Sequence, residues 1–383
     1  MGGNSNIQRI YFSGLDALRF FAAFSVFIGH VELTKQYLKL PNCAKLFEYL
    51  NFGGMGVYFF FVLSGFLITY LLLEEKNQVG NVYVSKFYLR RILRIWPLYF
   101  LMIIVGFFVL PNFEFYNLFH SSFLHNYPNT LCMYILMIPN LAFSIYPPVP
   151  HIGQLWSIGV EEQFYLFWPL IVKFSNKIIK TITILIVLYL SLKVFILVLP
   201  SDYLGNERYR IVKLFFGMTK FECMLIGSLG GSVLYFKNKF FMELLLNKVL
   251  LNGAVLMFPF LGFLSSFPSS IQDAIHIPLS ILFLIIIINV AFNQHAFFIL
   301  KNSILNYLGR ISYGFYMYHF FVVFTIVKLF STMLVKSPVI GNVLIYSLSF
   351  VLSILISSIS YRYFEVFFIK MKSGFSKILT EKG

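Results

Sequence analysis

GLDALRFFAAFSVFIGHVE, residues 14–32, is apolar over nearly its whole length, yet it carries Asp16, Arg19 and His30. A bilayer-spanning helix needs about 20 mainly apolar residues. A charged group inside one is costly unless it faces a cavity, a partner or the bundle interior. Arg19 and His30 are eleven residues apart, close to three helical turns. They therefore share one face, about 16 Å apart along the axis. Asp16, three residues before Arg19, joins the same face. That stripe must turn inward. A purely structural reading makes Arg19 an interfacial anchor and His30 a packed histidine. The functional reading uses His30 for proton transfer near neutral pH.

The rest of the chain makes the same demand. Of 383 residues 59% are hydrophobic and 12% charged, with 48 Phe, 24 Tyr and a mean hydropathy of +0.80. A water-soluble domain carries about 25% charged residues, so the composition excludes one and predicts an all-α polytopic membrane bundle. Ten runs qualify as spans: 11–33, 52–74, 95–111, 156–174, 178–200, 211–235, 247–264, 277–293, 311–333 and 339–363. The segment 131–146 carries Pro139 and Asn140 and reads as a re-entrant or interfacial piece. Lys and Arg concentrate in the loops that lie inside when both termini are cytoplasmic. The net charge of +15 follows largely from that topology. No small-x-small cleavage site follows the first run, so it is expected to stay as a helix. Cys43, Cys132 and Cys223 have no metal-ligand spacing, and no metal is expected. Residues 1–372 read as one membrane domain and 373–383 as a basic cytoplasmic tail.

Other polar residues sit where apolar ones belong. GGMGVYFFFVLSGFLITYLLLEE (53–75) offers Gly53, Gly54, Gly56, Ser64 and Gly65, read as small residues for close helix packing. YLRRILRIWPLY (88–99) puts Arg91 and Arg94 at i, i+3 beside Arg90, where a cytoplasmic loop enters the membrane. Topology alone places some charge there. Three arginines without lysine point further, because the guanidinium fork suits phosphate. LWSIGVEEQFYLFWP (155–169) carries Glu161 and Glu162, expected at the outer start of a span. One acid is expected to pair or cap the helix, where negative charge is favoured, and the other to orient His30 or a substrate hydroxyl. ISYGFYMYHFF (311–321) steps Tyr313, Tyr316 and His319 along one side, either as aromatic packing or as a site wall. YRYFEVFF (361–368) sets Glu365 near Arg362, a structural ion pair by spacing. Lys193 and Lys220 fall within spans without an evident role.

In this order, over residues 14–365, the segments resemble the membrane acyltransferase-3 family. The resemblance is carried by Arg19 with His30, FFFVLSGFL (59–67), Arg91-Ile-Leu-Arg94, LWSIGVEEQFY (155–165), SYGFYMYH (312–319) and YRYFE (361–365). It implies transfer of an acyl group, usually acetyl from acetyl-CoA, to a hydroxyl of a cell-surface or lipid-linked glycan in a bacterial cytoplasmic membrane. Carried over by position, His30 becomes the catalytic histidine and Arg19 its companion. Arg91 and Arg94 meet CoA phosphates, with Tyr313 and His319 as further candidates along the donor path. Glu161 and Glu162 support the site from the outer side. The chain ends soon after the last span, so it resembles family members without an additional hydrolase-like domain. The expected partners are acyl-CoA, a saccharide acceptor and membrane lipid, with no nucleic acid.

Two chemistries fit a histidine here: general-base activation of the acceptor hydroxyl or a transient acyl-histidine. Arg19 or Tyr313 is a candidate donor to the developing oxyanion. The competing function is a proton-coupled transporter or flippase, since intramembrane His, Arg and Glu serve that role equally well. The inverted repeat and paired broken helices of such proteins are not legible in this sequence. A third reading, a non-catalytic scaffold, leaves the charges of the first span unexplained.

Overall fold

A computed structural model describes Phe12 and residues 14–43, 45, 52–116, 127–200, 203, 205–237, 239–264, 269–292, 300 and 302–372. His120, His125 and the expected tail 373–383 lie outside the described residues. Every regular element among the described residues is helical. A backbone in lipid has no water to bond, so it must satisfy its own polar groups as a helix does.

The chain begins with α1 (Leu15–Tyr37), α2 (Phe52–Val79) and α3 (Val84–Ile104), which continues through π and 3₁₀ turns to Asn112. Two short helices follow, α4 (Tyr127–Ile135) and α5 (Pro139–Ile145), then α6 (Leu155–Phe174), α7 (Ile178–Val198), α8 (Asn206–Met218) and α9 (Phe221–Tyr235). Next come α10 (Lys239–Leu245), α11 (Lys248–Leu264), α12 (Ser269–Phe292) and α13 (Ser303–Arg310). The described chain closes with α14 (Ser312–Leu329), α15 (Ser331–Lys336), α16 (Pro338–Ser360) and, past a π turn, α17 (Val366–Lys372).

Among the described residues six helices are long and apolar enough to cross a membrane: α1, α2, α3 with its extension, α7, the Ile275–Phe292 part of α12, and Pro338–Met371. Eight qualify if two bent pairs each count as a span, α10 with α11 (50°) and α13 with α14 (68°). The protein is a multi-pass all-α membrane bundle. Two of the ten expected spans behave differently. The run 156–174 forms α6, but Glu161, Glu162 and Lys173 interrupt its apolar length. The run 211–235 is not one helix; it breaks at Thr219 and Lys220, between α8 and α9. The 131–146 segment folds as α4 and α5, joined at Met137 with φ of 61°. Nine and seven residues are too short to cross, in keeping with the re-entrant reading.

The bundle centre is the contact of α2 with α9, and it depends on glycine. A Cβ on Gly65 would lie 1.9 Å from the Met224 carbonyl oxygen, and one on Gly227 would lie 2.0 Å from that of Val62. Only hydrogen fits there, so the two backbones touch directly. Gly56 likewise admits α1, its absent Cβ falling 2.5 Å from the Ala22 carbonyl oxygen.

Beside this contact, Lys193 and Lys220 acquire a structural explanation. Glu222 on α9 accepts hydrogen bonds from Lys193 of α7 and His276 of α12, and Lys220 Nζ lies 3.3 Å from His276 Nδ1. Lys220 also sits over the Tyr58 ring, 5.6 Å from its centroid. Buried charges persist only when paired; here four helices contribute to the pairing, and its polar demands coincide with the break before α9. The expected Glu365–Arg362 pair does not form. Glu365 is buried and accepts from Ser360 Oγ at 3.1 Å, while Arg362 is exposed over the Tyr363 ring. The π turn over Tyr361–Glu365 changes the helical register that the spacing assumed.

Candidate active site

Six helices contribute polar side chains to a shared cavity of about 450 Å³. From α1 come Asp16 and Arg19, from α3 Arg91 and Arg94, and from α6 Ser157, Glu161 and Tyr165. Helix α2 adds Ser64 among Phe60, Phe61 and Leu67, and α14 adds Tyr313 and Tyr316. Each set repeats at three or four residues, the period that keeps side chains on one helix face. Arg310, at the end of α13, also lines the cavity. Four guanidinium groups thus meet two carboxylates, an excess of positive charge between walls that mix polar and apolar side chains.

The arginines are oriented by their surroundings. Arg19 pairs with Asp16 one turn earlier on α1. Arg91 lies over the rings of Tyr165 (5.2 Å) and Phe87 (5.6 Å), a cation–π arrangement that fixes the guanidinium plane. Tyr165 donates to Ser64 Oγ at 3.0 Å, and Ser64 donates to Glu161 Oε1 at 2.8 Å. Ser64, read from sequence as a packing residue, therefore belongs to the cavity wall. Arg90 points elsewhere, to Glu75 at 2.8 Å.

The two glutamates do not stand where the sequence reading put them. Helix α6 enters with Leu155, so Glu161 and Glu162 lie well along it rather than at its start. Glu161 faces Ser64 inside the cavity, and Glu162 accepts from Trp96 Nε1 at 2.9 Å. Neither is hydrogen-bonded to His30; successive residues on a helix diverge by about 100°, and these two serve different neighbours on the arginine side.

His30 lies in the other half of α1. It does not line the cavity. Its Nδ1 is 2.7 Å from Nε2 of His319 on α14, and its ring stacks on Phe320 at 4.5 Å. His30 is half-buried, whereas His319 is fully buried. His319 is thus a partner of His30 and not a residue of the arginine end. Tyr316 stands between the two regions: its hydroxyl is 2.7 Å from Ser157 Oγ, both residues line the cavity, and its ring is 5.8 Å from that of His319. Tyr313 lines the cavity too, but its hydroxyl is held by the Ile95 carbonyl at 2.8 Å. Tyr316 and Ser157 stand on the histidine side of the cavity, and their hydroxyls are shared with each other and with the Gln154 carbonyl, 3.2 Å from the Tyr316 hydroxyl and 3.1 Å from Ser157 Oγ.

Ser157, Tyr165 and Arg310 carry no site role from sequence, and Ser64 carries only a packing one. The signal for α6 was present: Ser157, Glu161 and Tyr165 recur every four residues. His151, from the long segment before α6, is packed rather than presented. Its ring lies 4.3 Å from that of Phe324 and its Nε2 donates to the Tyr116 carbonyl at 3.0 Å. Burial pulls its pKa down to about 4, so the imidazole is neutral near pH 7.

A family model described as an acyltransferase domain matches residues 12–362. A Staphylococcus aureus (strain COL) protein named "Putative O-acetyltransferase" is 28% identical over 399 aligned positions, which cover 94% of this chain and 58% of that protein. "O-acetyltransferase OatA" of Staphylococcus aureus (strain NCTC 8325 / PS 47) is 29% identical over 57% of this chain and 34% of its own length. "Putative peptidoglycan O-acetyltransferase YrhL" of Bacillus subtilis (strain 168) is 32% identical over 45% of this chain and 25% of its own. The chain spans little more than half the length of the first of these relatives. No solved structure matches it.

Proposed function

Because the chain belongs to the membrane acyltransferase-3 family, which matches it over residues 12–362, we propose that it is an integral membrane O-acetyltransferase. It moves acetyl from acetyl-CoA to a hydroxyl of a cell-surface or lipid-linked saccharide. The observation that carries this reading is the cavity itself, with Arg19, Arg91, Arg94 and Arg310 lining it together with the Ser157–Tyr316 hydroxyls that approach the His30–His319 pair. A guanidinium cluster suits the phosphates of CoA, and phosphate is the charge on the donor that apolar walls cannot hold. Arg19 and His30 are separated by a distance of the order of an extended pantetheine arm. The family relatives' names point to acetyl as the group and to peptidoglycan as one acceptor class.

In this reading the arginine end is cytoplasmic, in accord with the excess of Lys and Arg in the loops on that side, and the membrane is the bacterial cytoplasmic membrane. The nucleotide rests on Arg91 and Arg94, and the thioester is directed past Tyr316. The acceptor hydroxyl comes from the opposite side, to half-buried His30. His30 takes its proton as the oxygen attacks the thioester carbonyl carbon. The carbon–sulfur bond then breaks, and the CoA thiolate leaves with the proton that His30 returns. The products are an O-acetyl ester and free CoA thiol. Tyr316 or Ser157 turns its proton from the Gln154 carbonyl to the thioester carbonyl oxygen while that oxygen is negative.

The test compares the surface glycan of cells with and without the full-length gene by mass spectrometry, alongside acetyl-CoA turnover by membranes containing the chain. The expected result is an acetyl-sized mass difference on the glycan, released by mild alkali, and thiol production that requires the protein. An unchanged glycan with no thiol release, together with proton-dependent solute movement, would favour the transporter.

A further inference from the structure

We infer that His319 is a positioning residue that sets the proton on His30 so that its Nε2 carries the free lone pair. The inference rests on the acyl-transfer reading for its consequence, but not for its geometry. His319 Nδ1 faces two backbone carbonyls of its own helix, Tyr316 at 2.7 Å and Phe315 at 3.1 Å. A carbonyl oxygen only accepts, so Nδ1 of His319 must carry a hydrogen. In the neutral ring Nε2 is then the acceptor, and it is this atom that lies 2.7 Å from His30 Nδ1. His30 must therefore donate through Nδ1, which leaves its Nε2 unprotonated.

Burial makes this chain of choices binding. His319 is 0% exposed and packed against Phe27 and Phe315, so water cannot replace either bond. The two imidazole planes are within 6° of parallel, and Phe320 stacks on His30 at 28°, so His30 is held in orientation as well as in tautomer. When His30 takes the acceptor's proton at Nε2, the Nδ1–H bond to His319 persists and strengthens, because its donor is now charged. The residue acts through His30 and touches neither donor nor acceptor.

Two substitutions separate positioning from packing. In His319→Gln the side-chain carbonyl reaches the place of Nε2 and still accepts from His30. In His319→Asn the amide occupies the place of Nδ1, keeps the bond to the backbone carbonyls, and leaves His30 without its acceptor. Transfer of radiolabelled acetyl-CoA to alkali-labile glycan ester, by membranes of cells that make the glycan, is expected to fall on the order of 10²-fold in His319→Asn. His319→Gln is expected to stay within about tenfold of wild type. Ring-nitrogen NMR of 15N-histidine-labelled protein in lipid discs supplies a readout that does not require turnover. The wild type and His319→Gln should show His30 protonated at Nδ1 and bare at Nε2, and His319→Asn a mixture of tautomers. His30 protonated at Nε2 in the wild type overturns the inference, as does equal activity of the Asn and Gln variants, even if acetylation itself proceeds. Membranes with the wild-type chain and no transfer would instead sink the proposed function, with the NMR signature still deciding the tautomer.

Discussion

His30→Asn is expected to remove acetyl transfer to the surface glycan while the protein accumulates normally in the membrane. The fall in turnover is expected to be on the order of 10²- to 10⁴-fold, the contribution typical of a general base. Asparagine is the informative replacement. Its amide nitrogen occupies the place of Nδ1 and can still donate to His319 Nε2, so the contact seen at 2.7 Å is retained. What disappears is Nε2, the atom that would take the acceptor's proton. His30 is half-buried and one face of its ring rests on Phe320, so little packing is lost. Alkali-released acetate per unit of immunodetected protein measures the effect, and wild-type acetate from this variant would discard His30 as the base.

The second large effect is expected at Arg91 and Arg94. A charge-assisted hydrogen bond contributes about 1.5–3 kcal/mol, and every 1.4 kcal/mol is tenfold. Loss of both guanidinium groups in Arg91→Ala/Arg94→Ala should raise KM for acetyl-CoA by on the order of 10²-fold or more, with a smaller change in kcat. Arg91→Lys should recover little, because lysine has no planar fork to lie over the rings of Tyr165 and Phe87. Initial rates across acetyl-CoA concentration make the measurement. An unchanged KM in the double variant would take the donor away from this cavity.

The residues that the sequence marked most clearly are those whose cost in lipid is greatest. Asp16, Arg19 and His30 announced an inward stripe on α1 because nothing else makes them tolerable there, and α1 carries all three as one helix. Arg91 and Arg94 stand out as part of an arginine cluster without lysine, suited to phosphate, and both line the cavity. Periodicity identifies a face but not what faces it, and this is where the sequence reading went astray. One of Glu161 and Glu162 is expected to pair or cap the helix and the other to orient His30 or a substrate hydroxyl; instead Glu161 meets Ser64 in the arginine-lined cavity and Glu162 meets Trp96. His319 was grouped with the donor path, and only the packing of α14 on α1 reveals its pairing across 289 residues. Ser64 is chemically indistinguishable from a packing serine until Tyr165 and Glu161 are seen on either side of it. The break at Lys220 likewise reflects a buried cluster drawn from four helices, which no local pattern encodes.

The central claim is that a thioester enters from the arginine end of the cavity and is met near the histidine pair. An experimental structure of the protein in a lipid disc with CoA bound tests it most directly. The account predicts phosphates within hydrogen-bonding distance of Arg91 and Arg94 and the thiol end beside Tyr316, on the side facing His30. CoA bound outside this cavity, or seated in it with the thiol pointing away from Tyr316, would contradict it.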